Sequence, residues 1–400
     1  MTRRDARPRI AVVGANFAGL AAARHLGREH AVTVIDPSPW FEWLPNIHEL
    51  VSGEKRPADL RLPRARLVRR AGHRFVRANV TSIDAPAGRL TTSSGRRIVF
   101  DLCIVATGGV NETFGVRGVD RNAWPFKSVD ECVRIGRRIG ALARRKGRKS
   151  VVIVGGGLEG VEALGELLRR YRDVEDLDIS LVEAGPRLLP EAPPKLDAAV
   201  RSHCRGRNVR LLTGIPVTAV TPKRVRLGSG ELLRSDLTIW TGGVSAPALL
   251  HESGLADRPG QWAPVTDALR SRRYDNVFVI GDAAALPRPL AKQAYYALQT
   301  GACAAENAAR ALKGRALRDF RPSPKPMLIA FGDLDTFLVS GRTVIASPKL
   351  AALKEAVFQL TMAELDPPLD PRALPGLSAR LARAATRMAL PAGLRRMLLS

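Results

Sequence analysis

Two short β-branched runs, each breaking at glycine into an alanine- and leucine-rich stretch, constrain this chain more than anything else in it. The first reads Ile10-Ala-Val-Val-Gly14-Ala-Asn16-Phe17-Ala18-Gly19, and the second Val151-Val-Ile-Val-Gly155-Gly156-Gly157-Leu158-Glu-Gly160-Val-Glu162. Each predicts a buried strand, a tight turn and a helix, the unit whose N-terminal amides hold a dinucleotide's pyrophosphate. Each is completed by an acid after the next apolar run: Asp36 follows Val32-Thr-Val-Ile, and Glu183 follows Ile179-Ser-Leu-Val. A carboxylate there is placed to accept hydrogen bonds from an adenosine ribose. One glycine-rich turn is weak evidence. Two complete strand–turn–helix–strand–acid units specify a chain built to hold two dinucleotides.

With 400 residues, 45% of them hydrophobic, the chain can fill two or three domain cores. Its four cysteines, at 103, 132, 204 and 303, make no CxxC pair and suggest neither a disulfide framework nor a metal site. Cys103, within Leu102-Cys-Ile-Val, reads as a buried small hydrophobe, and a reducing compartment is the natural setting. Arg3 and Arg4 ahead of Ile10–Ala23 resemble the start of a secretory leader. Asn16 interrupts that run, and the first turn needs the same residues, so no leader is expected. No stretch approaches the roughly 18 apolar residues that a spanning helix requires. The formal net charge of +25 invites nucleic acid or an anionic membrane surface as partner. The basic runs at 61–70, at 134–149 and after Asp370 carry no interleaved aromatics. They make no base-stacking platform, and nucleic acid is set aside.

Residues 1 to about 118 read as strand, helix, strand, an Arg/Pro-rich connection and short alternating strands. Phe75–Val80 and the hairpin-like Arg89–Phe100 fit a small antiparallel crossover, and Phe100–Gly108 another buried parallel strand ending in a turn. A basic amphipathic helix near 128–146 leads into the second unit, which runs to Thr241-Gly242-Gly243 with a hairpin at Gly228-Ser-Gly230. Asn276–Ile280 returns as a strand before a helix over 292–312, and Arg321–Pro326 is a proline-rich break. The expected fold class is α/β, with two Rossmann-like, doubly wound, three-layer ββα dinucleotide-binding domains and an α+β, amphipathic C-terminal appendage. The second domain is inserted in the first: 1–125 with 245–320 form one, 126–244 the other, and 321–400 the C-terminal region. Apolar positions 350, 353, 357 and 360 predict a helix over 350–365, packed on its own core or in contact with a membrane. The stretch 371–400 has six arginines and no carboxylate, with Leu377, Leu381 and Met388 on one face. That is the pattern of a helix lying on anionic lipid; a solvated or oligomer-facing helix is the other reading.

These ordered signatures resemble the two-dinucleotide flavoproteins of the pyridine-nucleotide reductase superfamily over about residues 8–315. Ala106–Gly118, Val182–Pro190 and Thr238–Val244 are similar to stretches of type II NADH:quinone oxidoreductases and of the related ferroptosis-suppressor quinone reductases. The resemblance implies FAD on the first unit, held by Gly14, Asn16, Phe17, Ala18, Gly19, Asp36, Pro45, Val80, Ala106, Thr107, Gly108, Gly281 and Asp282. It implies NAD(P)H on the second, held by Gly155, Gly157, Leu158, Gly160, Glu183, Gly242 and Gly243. Asn16 stands in place of the family's middle glycine and is expected to take an unusual backbone conformation, which Asn tolerates. Glu183 is expected to favour NADH by repelling a 2′-phosphate, although Arg187, four residues on, is of a type that accommodates one.

The resemblance also supplies four catalytic candidates. Glu162 matches a glutamate at the nicotinamide–flavin–quinone junction; it either gates a proton to the acceptor or caps and pairs within its helix. Gln299 survives from an Ala-Gln-x-Ala-x-Gln quinone motif whose first Gln is here Tyr295. Lys292 either stabilises a reduced flavin anion electrostatically or is a surface lysine opening a helix. The expected activity passes hydride from NADH to FAD and electrons on to a quinone or other small acceptor at an anionic membrane surface. The expected location is cytoplasmic, peripheral on the inner membrane's cytoplasmic face, and a homodimer is compatible with it. Two alternatives stand beside this: a soluble ferredoxin reductase-like enzyme, and an apoptosis-inducing-factor-like flavoprotein with a binding role.

Overall fold

The computed structural model describes residues 7–367. The chain divides into two compact units, each drawn from three stretches. The first takes the chain up to Glu42, Arg61–Asn111 and Val244–Ser323; the second takes Trp43–Leu60, Glu112–Gly243 and the chain from Pro324 onward. This division departs from the expected boundaries in three places, the first being residues 112–125, expected in the first domain and found in the second unit. Residues 43–60, expected in the first domain, pack in the second unit, where Trp43 meets Phe358 at 5.8 Å between ring centroids and Ser52 donates to Glu166. The C-terminal part is no separate appendage, because the strand Met327–Phe331 lies against the helix Leu158–Tyr171.

The first unit is built on a five-stranded sheet in the order Val277–Val279, Leu102–Val105, Arg9–Val13, Ala31–Asp36, Arg74–Arg77, parallel throughout. A parallel sheet is covered on both faces, so its strands read as unbroken apolar runs; Leu102–Val105 is buried at every position. Alternation still sorts the faces. Ala11 and Val13 join Ile35, Val105 and Val279 in a core that continues to Ile83, Leu90 and Phe100. That core reaches a three-stranded antiparallel sheet of Val80–Asp84, Arg89–Thr92 and Arg97–Val99. Phe75–Val80, read as one piece of the crossover, is split in two. Arg74–Arg77 is the fifth parallel strand, with Phe75 opposite Val34, and antiparallel pairing begins only at Val80. The helices Phe17–His25 and Ala294–Leu312 pack closely, their facing positions kept to alanine and glycine.

The second unit repeats the plan. Its parallel sheet runs Ala123–Pro125, Leu237–Trp240, Lys149–Val154, Leu177–Glu183, Val209–Thr213. Val152, Val154, Val182 and Trp240 share a core with Val217, Val225, Leu227 and Leu233 of a second three-stranded antiparallel sheet. The basic helix extends over Val129–Ala143 and buries Cys132, Ile135, Ile139 and Leu142, one apolar stripe at helical period. Ser128 starts it by accepting from Glu131 N at 3.3 Å, while the Glu131 carboxylate accepts from Lys127 N at 2.8 Å. In both units the central strand has one neighbour reached directly and one reached by a crossover in the opposite sense. Its C-terminal end is therefore a topological switch point, where a doubly wound sheet opens a crevice. The expected α/β class, with two Rossmann-like dinucleotide-binding folds, is the one the chain adopts.

The C-terminal part adds an antiparallel meander, Met327–Phe331, Asp335–Ser340 and Thr343–Ala346, and the helix Leu350–Leu365. Positions 350, 353, 357 and 360 do not form its inner face. The buried residues are Lys354, Phe358 and Leu365, and Leu360 is 44% exposed. The face is rotated because Lys354 finds a buried carboxylate, which apolar periodicity does not register. The stretch 371–400 lies outside the described residues. Among those described, no helix is long and apolar enough to cross a membrane.

Candidate functional site

The first turn is closed to side chains. Gly14 has φ +95°, and a Cβ on it would lie 2.2 Å from the Ala106 carbonyl oxygen. The helix behind it sits just as tightly, since a Cβ at Gly19 would come within 1.9 Å of the Gly14 oxygen. Asn16 caps that helix with φ −93° and ψ −146°, outside the standard helical and extended regions but without a positive φ. Its amide bridges to a neighbouring strand, accepting from Glu42 N at 3.0 Å and donating to Glu42 O at 3.2 Å. Phe17 is buried edge-on to Phe41 at 5.2 Å, and Ala18 backs onto Gly281.

Asp36 accepts from Ala15 N and from Ser38 N, both at 2.8 Å, and pairs with Arg64, whose Nε donates to Ala15 O at 3.0 Å. Burial pushes the Asp36 carboxyl above its ordinary range, against the pull of Arg64. The acid thus fastens the turn it was expected to serve. Arg64 was not foreseen, because an arginine inside the basic run 61–70 reads as solvated.

The Ala106-Thr107-Gly108 loop closes over the same turn. The Thr107 hydroxyl is buried without a protein partner, an orphan that a bound polar group would satisfy. After the strand Val277–Val279, Gly281–Ala283 makes one tight turn whose Gly281 N donates to Thr300 Oγ1 at 3.1 Å. Lys292 places its Nζ 2.5 Å from Asp282 O and 3.7 Å from the centroid of the Trp262 ring. Burial lowers the Lys292 ammonium from its usual range, opposed by Asp282. Tyr295 lies against Tyr296 at 4.2 Å. Gln299 clasps Ser323 with both ends of its amide, donating to O and accepting from N at 2.9 Å each. Val80 is buried at the start of its strand. A turn closed to side chains, amides at a helix start and an orphaned hydroxyl fit a nucleotide cofactor in this unit.

The second turn repeats the device. Gly155 has φ +109°, and a Cβ at Gly160 would lie 1.9 Å from the Gly155 oxygen. Glu183 accepts from Gly156 N and Gly185 N at 2.6 Å each, as Asp36 does from Ala15 and Ser38. Gly157 caps the helix that begins at Leu158. Thr241, ahead of Gly242 and Gly243, donates to Val154 O at 2.9 Å and to Gly155 O at 3.0 Å. Among the described residues no counterpart of Arg64 joins this acid. Arg187 is committed elsewhere, donating to Leu189 O at 2.8 Å and Pro190 O at 2.5 Å.

Glu162 belongs to this second unit, whereas Lys292, Tyr295 and Gln299 belong to the first. One Glu162 oxygen accepts from Lys354 Nζ at 2.7 Å and from Ala330 N at 3.1 Å; the other lies 3.4 Å from His48 Nδ1. Lys354 Nζ is also 3.4 Å from His48 Nε2. All three side chains are at most 13% exposed. Burial raises the Glu162 carboxyl against the opposing Lys354, and burial together with Lys354 holds His48 well below the usual histidine range. One turn on, burial pushes Glu166 up to about 7, although Ser52 and Arg169 both contact it. Pairing, one of the two readings of Glu162, is thus observed, but across segments and not along its helix. Pro45 lies beside this cluster in sequence, in the turn Leu44–Asn46. His48 and Lys354 went unforeseen because nothing local in the sequence marks partners 306 residues apart.

None of the four cysteines is in a disulfide, and burial pushes Cys103 up to about 12 and Cys204 and Cys303 to about 11. Thiols so protonated are poor nucleophiles.

The profile of a family described as pyridine nucleotide-disulphide oxidoreductase matches residues 8–301. A type II NADH:quinone oxidoreductase of Staphylococcus aureus is 29% identical over 381 residues, covering 88% of this chain and 94% of that protein. Among solved structures, NDH2 from Plasmodium falciparum, in complex with NADH, is similar at a TM-score of 0.79 with 16% identity, over 89% of this chain and 95% of that one. The sulfide:quinone oxidoreductase of Aquifex aeolicus is similar at a TM-score of 0.79 with 18% identity, over 90% and 91%. At these identities the two structures bear on the fold alone.

Proposed function

The chain belongs to the pyridine nucleotide-disulphide oxidoreductase family, and on that premise we propose that it is an FAD-dependent NADH dehydrogenase that passes electrons to a quinone. The observation that carries this reading is the duplicated turn. Each unit has a glycine turn closed to side chains and an acid bonded to the second amide of that turn. The curated relatives, named as type II NADH:quinone oxidoreductases over nearly their whole length, support the acceptor.

FAD belongs on the first unit. Gly14, Gly19 and the helix start at Asn16 hold its pyrophosphate, Asp36 and Val80 face its adenosine half, and Thr107, Gly108, Gly281 and Asp282 hold the remainder. Thr107 supplies the hydroxyl that otherwise lacks a partner. NADH belongs on the second unit, at Gly155, Gly157, Leu158 and Gly160, with Gly242 and Gly243 closing the crevice. Glu183 favours the free 2′-hydroxyl, and Arg187, spent on two carbonyls, is not available to a 2′-phosphate. FAD held on the first unit would supply the two-electron acceptor and donor between nicotinamide and quinone. The protein's part is to position the two rings, exclude water and supply the proton that quinol formation consumes. Glu162, whose carboxyl burial raises above its ordinary range and Lys354 holds in place, carries that proton. The reaction takes place at an anionic membrane surface, drawn there by the net charge of +25.

Stopped-flow mixing tests the reading. NADH should bleach the flavin rapidly, and quinone should restore it faster than ferredoxin or oxygen does. Glu162→Gln should slow the second phase and leave the first near wild type. Reoxidation by ferredoxin at the higher rate, or a kcat/KM for NADPH above that for NADH, would overturn the corresponding part.

A further inference from the structure

We propose that Trp262 is a positioning residue that pins the Lys292 ammonium at the wall of the flavin crevice and thereby sets the flavin's reduction potential. The inference rests on the FAD reading above and goes beyond it. Three independent features of the first unit converge. The Trp262 ring touches the loop beyond the orphaned Thr107 hydroxyl, where a Cβ on Gly109 would lie 3.0 Å from its Cη2. Lys292 Nζ sits 3.7 Å from the centroid of the same ring. Its other contact is Asp282 O at 2.5 Å, in the turn whose Gly281 backs onto Ala18 of the first helix. The ammonium is therefore fixed beside the C-terminal ends of Arg9–Val13, Leu102–Val105 and Val277–Val279, the switch point of this sheet.

A lysine on four flexible bonds does not hold a charge in place by itself. An aromatic face on one side and a carbonyl on the other remove that freedom, and the ammonium keeps donors for a ligand. Trp262 pays no hydrogen bond into this arrangement; its ring is a shelf. A fixed positive charge stabilises the anion formed when flavin takes up hydride, and so raises the potential.

The experiment measures the midpoint potential of the FAD-loaded protein by equilibration with a reference dye. Lys292→Met and Trp262→Leu should each shift the oxidised-to-reduced ratio at equal poise about tenfold toward oxidised, about 30 mV for a two-electron couple. Trp262→Phe, a weaker cation–π partner, should fall between Trp262→Leu and wild type. In the Lys292→Met background neither Trp262 variant should shift the potential further. If Trp262→Leu does not fold, the difference between Trp262→Phe and wild type decides, and its loss in the Lys292→Met background confirms that Trp262 acts through the lysine. Unchanged potentials, or shifts from the two positions that add, would overturn the proposal while leaving the FAD reading intact. A purified protein that binds no FAD would overturn both.

Discussion

At the scale of single residues, the two acids that end the second strands do more than the sequence assigns them. Asp36 and Glu183 each bind amides of their own loops, so the turn is built before any ligand arrives. Their positions were legible, because glycine turn and acid recur at matching spacing. The ion pair that neutralises Asp36 was not, since nothing in a run of arginines singles out Arg64. Asp36 and Arg64 are both about nine-tenths buried, and removing one partner of such a pair leaves an uncompensated charge. Arg64→Met should therefore cost about 3–5 kcal/mol of stability and lower FAD occupancy, read by urea unfolding and flavin absorbance. Glu166 tests burial in the opposite sense. Its carboxyl stands at about 7 in the folded protein against an ordinary value near 4.5. Between those values the native state holds a proton that the unfolded chain has released, so rising pH removes stability across that window. The loss is at most about 3 kcal/mol. Glu166→Gln should flatten the fall in Tm between pH 5 and pH 7.5; an unchanged slope would show that Ser52 and Arg169 already satisfy the charge.

At the scale of elements, the strands and helices of both sheets were legible because parallel strands are unbroken apolar runs and their helices open on glycine. What failed were elements whose inner face is polar. The helix Leu350–Leu365 turns Lys354 inward and leaves Leu360 out, so apolar periodicity picked the wrong stripe. The helix Ala294–Leu312 hides a similar device in Asn307, which is fully buried. It donates to Ala268 O at 2.9 Å and Arg318 O at 2.8 Å, and accepts from Arg318 N at 2.8 Å. One amide thus ties the helix to two loops. Asn307→Ala strands two carbonyls and an amide, each buried polar group costing about 1–3 kcal/mol when left unpaired. The expected result is a drop of several degrees in Tm and faster proteolysis near Arg318, with NADH binding unaffected.

At the scale of the whole molecule, the sequence told which cofactors the chain is built for, but not how its segments divide. A two-domain insertion is the simplest reading of two motifs and one return strand. The observed partition gives residues 43–60 and everything described after Ser323 to the second unit, because His48, Ser52 and Lys354 meet Glu162 and Glu166 there. The charge acts at this scale too. With a net +25, binding to anionic vesicles should weaken by an order of magnitude or more between about 50 and 300 mM salt as the screening length shortens; salt-independent sedimentation would remove the electrostatic argument. The same partition has a consequence for how the protein is made. Glu162 emerges from the ribosome well after His48, and its lysine follows only after nearly two hundred more residues. The first unit likewise waits for its return strand at Val277–Val279. Neither unit can close until its last segment is made, so Glu162 waits in an open, solvated chain for its counter-charge. The first unit has all its segments once Ser323 is made, whereas the second still waits for the stretch that carries Lys354, so the two halves complete in that order.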